Sequence, residues 1–114
     1  MSSVPSRGDV WLVDLGPVRG HEQGRTRPAL VMSADTFNAG PAGLVIVVPI
    51  TSVDKHIPTH VPINPPEGGL TQPSFAKAED IRSISTERLI RPLGSVNRST
   101  LTKVGDALTI LLDL

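Results

Sequence analysis

The run GLVIVVPITS, residues 43–52, is the most hydrophobic strand candidate in the chain. An apolar run of this length, rich in β-branched residues and ending in the hydroxyls of Thr51 and Ser52, predicts a central strand. A core built around it must consist mainly of Val, Ile and Leu, whose branching suits strands. The reason is the scarcity of aromatic residues, which are Trp11, Phe37 and Phe75. The run therefore favours a β-rich fold.

Shorter strand candidates lie on both sides of this run, at residues 9–15, 27–32, 59–63, 75–85 and 90–96. Proline and glycine are densest in residues 64–74, which predict a loop. The segment 75–85 alternates two sets of side chains and predicts a single strand, regular or bulged, with a mixed polar face. A helix-start signal at Ser33 and a stop at Gly40 predict about one helical turn.

The end of the chain carries the clearest helical pattern. Hydroxyl caps at Ser99 and Thr100 precede apolar side chains at helical spacing, which are Leu101, Val104, Leu108 and Leu111. Short strands, many turn residues and one terminal helix together predict a mainly β fold. We expect a small, curled antiparallel sheet or barrel with a C-terminal α-helix, in one domain that spans residues 1–114.

Composition excludes several classes of protein. The 11 basic residues balance the 11 acidic ones, so a strongly basic chromatin-type binder is not expected. The chain has no cysteine, which excludes disulfides and thiolate zinc sites and is compatible with a reducing compartment. The N-terminus lacks the apolar region of a signal peptide, and the longest apolar run is too short to span a bilayer. We therefore expect a soluble, cytoplasmic protein.

The segment GHEQGRTRP, residues 20–28, concentrates proton carriers and anion binders on one loop. Its glycine spacing is not a nucleotide-binding loop, because no Gly-Lys-Ser/Thr follows and the next element is a predicted strand. The three histidines never stand at ligand spacing on a helix, and the acidic residues are scattered. We expect neither a metal site nor a cofactor.

The remaining acidic, basic, histidine and hydroxyl side chains suit metal-free cleavage of RNA through its own 2′-hydroxyl. This reaction needs a base, an acid and fixed positive charge at the phosphorus. Each candidate also has a structural interpretation, as a surface charge, an ion pair or a strand-end hydroxyl. The candidates are Glu22, His21 and Glu79 for proton transfer, Arg27, Arg25 and Lys77 for charge, and Thr51 and Ser52 as hydroxyl donors.

The opening segment RGDVWLVDLGPVRGHEQGRTRPALVMS resembles the start of the MazF/PemK (Kid) family of toxin ribonucleases. Further similarity lies in VVPITS, PTHV, AEDIRSIS, ERLIRPLGSV and the terminal helix, in the family's order along almost the whole chain. The resemblance implies an SH3-like barrel of antiparallel strands and a homodimer. It also implies metal-independent cleavage of single-stranded messenger RNA at short sequences, leaving a 2′,3′-cyclic phosphate and a 5′-hydroxyl. A cognate antitoxin would block the RNA groove, typically with a disordered tail that folds on binding.

The resemblance also implies two alternative catalytic sets. In MazF-type members the catalytic pair corresponds to Arg27 and Thr51. In PemK-like members a histidine, an arginine and an aspartate act instead, at the positions of His21, Lys77 and Glu79. The present sequence mixes both patterns, with lysine in place of arginine and glutamate in place of aspartate. Lysine cannot bind a phosphate through two parallel hydrogen bonds as arginine does, which weakens the PemK-like assignment.

The general base is left open among Glu22, His21 and Glu79, because an arginine at its ordinary pKa cannot accept the proton. The expected RNA-binding residues are Gln23, Arg25, Ser52, Lys77 and Arg82. Two other functions remain as alternatives. One is a protein-binding toxin on the same fold, like the gyrase poison CcdB, although that class has an aromatic C-terminal end and this chain ends in TILLDL. The other is an inactive SH3-like interaction module.

Overall fold

The computed structural model describes residues 4–17, 20 and 25–114. Seven strands and two α-helices make up the described chain, and short 3₁₀ turns cover Glu67–Gly69, Ala78–Asp80 and Thr86–Arg88. The strands are β1 (Asp9–Asp14), β2 (Thr26–Val31), β3 (Leu44–Thr51), β4 (His60–Ile63), β5 (Ser74–Lys77), β6 (Arg82–Ser85) and β7 (Leu89–Ser95). The helices are α1 (Asp35–Asn38) and α2 (Arg98–Leu112). None of the helices in the described residues is long and apolar enough to cross a membrane.

The strands form one antiparallel sheet in the order β4-β5-β3-β2-β1-β7, and β6 also pairs with β3. The long strand β3 is central, because it pairs with β2, β5 and β6 along its length. The expected mainly β fold with a C-terminal helix is confirmed. The sheet is not closed, since the end strands β4 and β7 do not pair with each other, so the expected barrel is an open one.

Two hydrophobic clusters cover the two faces of the sheet. The first contains Val10, Leu30 and Val48 and extends to Val104 and Leu108 of α2, which packs on this face. The second contains the alternate residues of the same strands, and these include Trp11, Val13, Ala29, Val31, Val45 and Val47. Side chains alternate along a strand, so β1, β2 and β3 contribute to both clusters and are apolar on both faces. Trp11 is 5% exposed and belongs to the core.

The predicted single strand over residues 75–85 is wrong. The structure divides it into β5 and β6, with the 3₁₀ turn Ala78–Asp80 between them. The backbone N–H of Ala78 donates to the carbonyl of Thr59, and both acidic side chains of the turn bond to partners outside it. These contacts stabilise the turn, so that β5 pairs with the end of β3 and β6 with its beginning.

Two predicted helix caps are also wrong. Ser99 and Thr100 lie inside α2, and the side chain of Asn97 caps it by accepting from the N–H of Thr100 at 2.9 Å. The short helix α1 begins after Ala34 and has no side-chain cap. Ser33 instead accepts a hydrogen bond from the N–H of Ile46 at 2.9 Å, which ties the start of this segment to β3.

The segment 64–73, here called the 64–73 loop, connects β4 to β5 and contacts both α2 and β7. Glu67 Oε2 accepts hydrogen bonds from the N–H of Asn97 at 3.0 Å and from Thr100 Oγ1 at 2.6 Å. Gly69 lies against β7, and a Cβ at this position would be 1.9 Å from the carbonyl oxygen of Leu93. The loop is therefore fixed to both α2 and β7.

Candidate functional site

A cavity of about 120 Å³ opens at the ends of β2 and β3. One wall is formed by strand-end residues and the other by the end of the 64–73 loop. The strand wall contains Arg27, Thr51 and Ser52, and the loop wall contains Leu70, Thr71 and Gln72. Pockets for drug-sized ligands are typically about 300–1,000 Å³. This cavity therefore suits one group of a larger chain, such as a base or a phosphate.

The register of the sheet explains why Arg27 and Thr51 face each other. Ala29 pairs with Pro49 in the antiparallel ladder of β2 and β3, and continuing that ladder by one step of the side-chain period brings Arg27 opposite Thr51. Both side chains then belong to the face that carries the second hydrophobic cluster. Ile50 and Leu70 of the first cluster also line the cavity, so residues from both faces of the sheet contribute to it.

The hydroxyl of Thr51 is held in place by the turn that follows β3. Its Oγ1 accepts a hydrogen bond from the N–H of Val53 at 3.1 Å. A hydroxyl can accept and donate at the same time, so the proton of Thr51 remains available for a ligand in the cavity. Thr51 is half-buried, whereas Arg27 and Ser52 are exposed.

Further arginines surround the base of the hairpin that joins β1 to β2. Arg25 has φ +62° and its backbone N–H donates to the carbonyl of Gly16. Arg82 Nη1 lies 3.4 Å from the carbonyl oxygen of Leu15, and Arg88 Nη1 lies 3.2 Å from that of Asp14. No salt bridge within the described residues involves an arginine. Arg25, Arg82 and Arg88 thus bring three guanidiniums to this end of the sheet, and sequence reasoning had missed Arg88.

Glu79 does not line this cavity and instead bonds to Thr59 and His60, at the start of β4. Its Oε2 lies 2.6 Å from Nε2 of His60, and its Oε1 accepts from Thr59 Oγ1 at 3.0 Å. The His60 side chain is 2% exposed and that of Glu79 is 32% exposed. Burial raises the pKa of the Glu79 carboxyl, but hydrogen bonds from His60, from a backbone N–H and from Thr59 outweigh burial and lower it below 4.5. Glu79 is therefore an ionised carboxylate at neutral pH.

Lys77 is buried beside this pair rather than exposed on the surface. It is the cross-strand neighbour of His60, and its Nζ lies 3.0 Å from Oδ2 of Asp80. Its side chain is 7% exposed. Neither Lys77 nor Glu79 lines the cavity of Arg27 and Thr51. The structure thus places Lys77 and Glu79 in a local environment different from that of Arg27 and Thr51.

Three predicted site residues, His21, Glu22 and Gln23, lie outside the described residues. Their roles as proton carriers or RNA ligands stay predictions. In the part of the chain that is described, no group of three or more His, Asp or Glu side chains could hold a metal ion. The expectation of a metal-free site likewise stays a prediction.

Comparison with known proteins identifies the family. The model of the PemK-like, MazF-like toxins of type II toxin–antitoxin systems matches residues 6–112. The chain belongs to this family. The endoribonuclease MazF9 of Mycobacterium tuberculosis is 44% identical over 113 residues, which cover 95% of this chain and 96% of that protein. The endoribonuclease EndoA of Bacillus subtilis is 36% identical over 112 residues, covering 97% of each chain.

Solved structures of MazF proteins have the same fold. MazF of Deinococcus radiodurans superposes with a TM-score of 0.86 at 31% identity, over 99% of this chain and 100% of that one. A mycobacterial endoribonuclease in complex with its cognate antitoxin gives a TM-score of 0.77 at 28% identity, over 99% and 97% of the two chains. The family resemblance inferred from the sequence is confirmed.

Sequence reasoning missed the loop wall of this cavity. The loop wall follows a tract rich in proline and glycine, in which apolar side chains recur with neither helical nor strand periodicity. Its residues are Leu70, Thr71 and Gln72. Only the folded loop brings them opposite Arg27. The available signal was the polar pair Thr71–Gln72 directly before a strand candidate, which does not by itself indicate a site.

Proposed function

We propose that this chain cleaves single-stranded RNA at short sequences without a metal, using the 2′-hydroxyl of the RNA as the nucleophile. It is a MazF-type endoribonuclease toxin, and its curated relatives carry the name endoribonuclease. The observation that carries the mechanism is the shared cavity of Arg27 and Thr51. We further propose that residues 1–114 act as one toxin domain in the cytoplasm, where messenger RNA is translated.

The reaction requires one bond to form and one to break at the scissile phosphorus. The 2′-oxygen attacks and forms the cyclic phosphate, while the bond to the 5′-oxygen breaks and that oxygen takes up a proton. Arg27 stabilises the added negative charge on the phosphorane, because a cation beside the phosphorus acts most strongly where negative charge develops in the transition state. The Thr51 hydroxyl donates a hydrogen bond to a phosphoryl oxygen. In this proposal Arg27 also protonates the leaving 5′-oxygen.

The general base comes from the loop that carries His21 and Glu22. Glu79 is the weaker candidate, since each of its carboxylate oxygens already has a hydrogen-bond partner in Thr59 or His60. Its lowered pKa also makes it a poorer proton acceptor than an ordinary carboxylate. The site therefore favours the MazF-type pair over the PemK-like set.

The phosphate backbone of RNA is the natural ligand of the surrounding guanidiniums. Arg25, Arg82 and Arg88 stand free of salt bridges in the described part of the chain. Contacts of this kind position a nucleic acid and make its binding weaken with salt. Ser52 and Gln23 are proposed as further RNA ligands, whereas the ammonium of buried Lys77 is already paired with Asp80.

The proposed protein partner is a cognate antitoxin, as in the complexes of related toxins. It would cover the arginine-rich surface and exclude RNA from the cavity. A gyrase-poison function like that of CcdB is not favoured, because the curated relatives are endoribonucleases.

We propose a homodimer as the assembled state. The last part of α2 and the residues after it expose Ile110 at 77%, Leu112 at 53% and Leu114 at 85%. Monomeric proteins rarely expose contiguous apolar surface, so a second copy is the expected cover. Light scattering at micromolar concentration should give the mass of two chains, and a monomer mass would contradict this assembly.

The central experiment incubates the purified protein with a long single-stranded RNA in excess EDTA. We expect cuts at a small set of recurring sequences, and a perfect duplex of the same RNA should resist because its bases cannot unstack. Absence of any cleavage, or cleavage that chelation abolishes and magnesium restores, would refute the proposal.

A further inference from the structure

The loop wall of the cavity presents a side chain that the cleavage chemistry does not use. Gln72 lies opposite Arg27 and Thr51, and it is exposed. Its side-chain amide has no hydrogen-bond partner among the described residues, although its backbone carbonyl accepts from Ser74 Oγ at 2.9 Å. Gln72 therefore brings an amide without a partner among the described residues to the cavity where the scissile phosphate would bind.

The backbone on both sides of Gln72 is fixed. Leu70 is 8% exposed and packs into the first hydrophobic cluster, and Ser74 is 5% exposed at the start of β5. Before them, Glu67 is bonded to the start of α2 and Gly69 lies against β7. The backbone that carries Gln72 is therefore fixed before the ligand arrives, which limits the region that its side chain can reach.

The two walls of the cavity differ in chemistry. Guanidiniums bind phosphates, and these contacts carry no sequence information. An amide offers one donor group and one acceptor, which match the Watson–Crick edge of an unpaired base. The cavity of about 120 Å³ has room for one group of the nucleotide chain, so the scissile phosphate would occupy it while the neighbouring base lies outside, beside exposed Gln72.

We propose that Gln72 is a specificity-determining residue that reads the base of a nucleotide adjacent to the scissile phosphate. This inference rests on the proposed function, because it concerns the RNA that occupies the same cavity. It assigns sequence preference to the fixed 64–73 loop and the chemistry to the strand wall.

The test compares cleavage maps of the wild type and three variants on one long single-stranded RNA, read by sequencing the new ends. For Gln72→Ala we expect cleavage to persist, with the base preference at one position of the cut site reduced roughly 10- to 100-fold. Gln72→Glu replaces the amide by an acceptor of two hydrogen bonds. That position should then prefer guanine, whose N1–H and N2–H groups both donate. Asn64→Ala, which removes an exposed amide elsewhere in the same loop, should reproduce the wild-type map.

The outcomes separate this inference from the function on which it rests. A wild-type protein that cuts no RNA would overturn both. A wild type that cuts at specific sites, with unchanged base preferences in Gln72→Ala and Gln72→Glu, would overturn the role of Gln72 alone. Loss of all cleavage in both variants at unchanged melting temperature would also overturn it, because Gln72 would then act in catalysis. Melting curves for every variant show that each is folded.

Discussion

Replacing Arg27 by alanine should abolish most of the activity while leaving the fold intact. Arg27 is exposed, and its side chain has no hydrogen bond or salt bridge within the described residues. The free energy of unfolding should therefore change by no more than about 0.5 kcal/mol, as for other surface substitutions. The rate of RNA cleavage should fall strongly, because the Arg27 guanidinium is the cation that lines the cavity together with Thr51.

Removal of one preorganised donor to a transition state typically lowers the rate by roughly 10²–10³-fold. If Arg27 also protonates the leaving oxygen, a further factor of roughly 10²–10⁴ is lost. Thr51→Val removes a neutral donor, so its effect should be smaller. It also removes the acceptor of the Val53 N–H, which costs about 0.5–1.5 kcal/mol of stability.

The assay is single-turnover cleavage at saturating protein, which separates chemistry from affinity. Arg91→Ala, which removes an exposed arginine of β7, is the matched control and should cleave at the wild-type rate. Glu79→Gln should retain most activity, because Glu79 is bonded to His60 rather than placed in the cavity. A fully active Arg27→Ala variant together with an inactive Glu79→Gln variant would show that the PemK-like set operates instead.

Three further predictions concern stability. Glu67→Gln should lower the free energy of unfolding by about 1–2 kcal/mol, because its carboxylate holds the start of α2, and Glu87→Gln is the exposed control in denaturant titrations. Gly69→Ala should lower the free energy of unfolding by about 2–5 kcal/mol, because the added Cβ clashes with β7 and the backbone has a positive φ. Gly43 also has a positive φ but no atom within 4 Å of an added Cβ, so Gly43→Ala should lower it by only about 1–2 kcal/mol. The lowered pKa of Glu79 means that its pairing stabilises the fold above pH 4.5 and that this contribution is lost as the pH falls through the lowered value. Melting temperatures should therefore fall less steeply between about pH 5 and pH 3 in Glu79→Gln than in the wild type, and equal slopes would contradict this.

The sequence predicted the elements whose pattern is local. The spacing of Val104 and Leu108 marks the face of α2 that packs on the sheet, and the apolar run of β3 is central as expected. The break between β5 and β6 could not be predicted, because alternation continues through Ala78–Asp80. The contacts that form this turn come from Thr59 and His60, which are distant in sequence.

The residues of the candidate site, like the elements of the fold, could be predicted from the sequence only in part. Arg27 and Thr51 came from family resemblance, and the register of β2 and β3 explains why residues so far apart in sequence share a cavity. The burial of Lys77 and its pairing with Asp80 could not be predicted, since a lysine in an alternating strand normally faces solvent. Gln72 was missed because loop residues acquire their neighbours only through tertiary contacts.

The central claim, attack by the 2′-hydroxyl without a metal, is tested most directly with a short RNA that carries one preferred cut site. Two versions are compared in excess EDTA, one all-ribose and one with a single 2′-deoxy sugar on the 5′ side of the scissile phosphate. The account predicts that the first is cut to a 2′,3′-cyclic phosphate and a 5′-hydroxyl, identified by mass, and that the second stays intact. Equal cleavage of both versions, or a product with a 3′-hydroxyl and a 5′-phosphate, would contradict it.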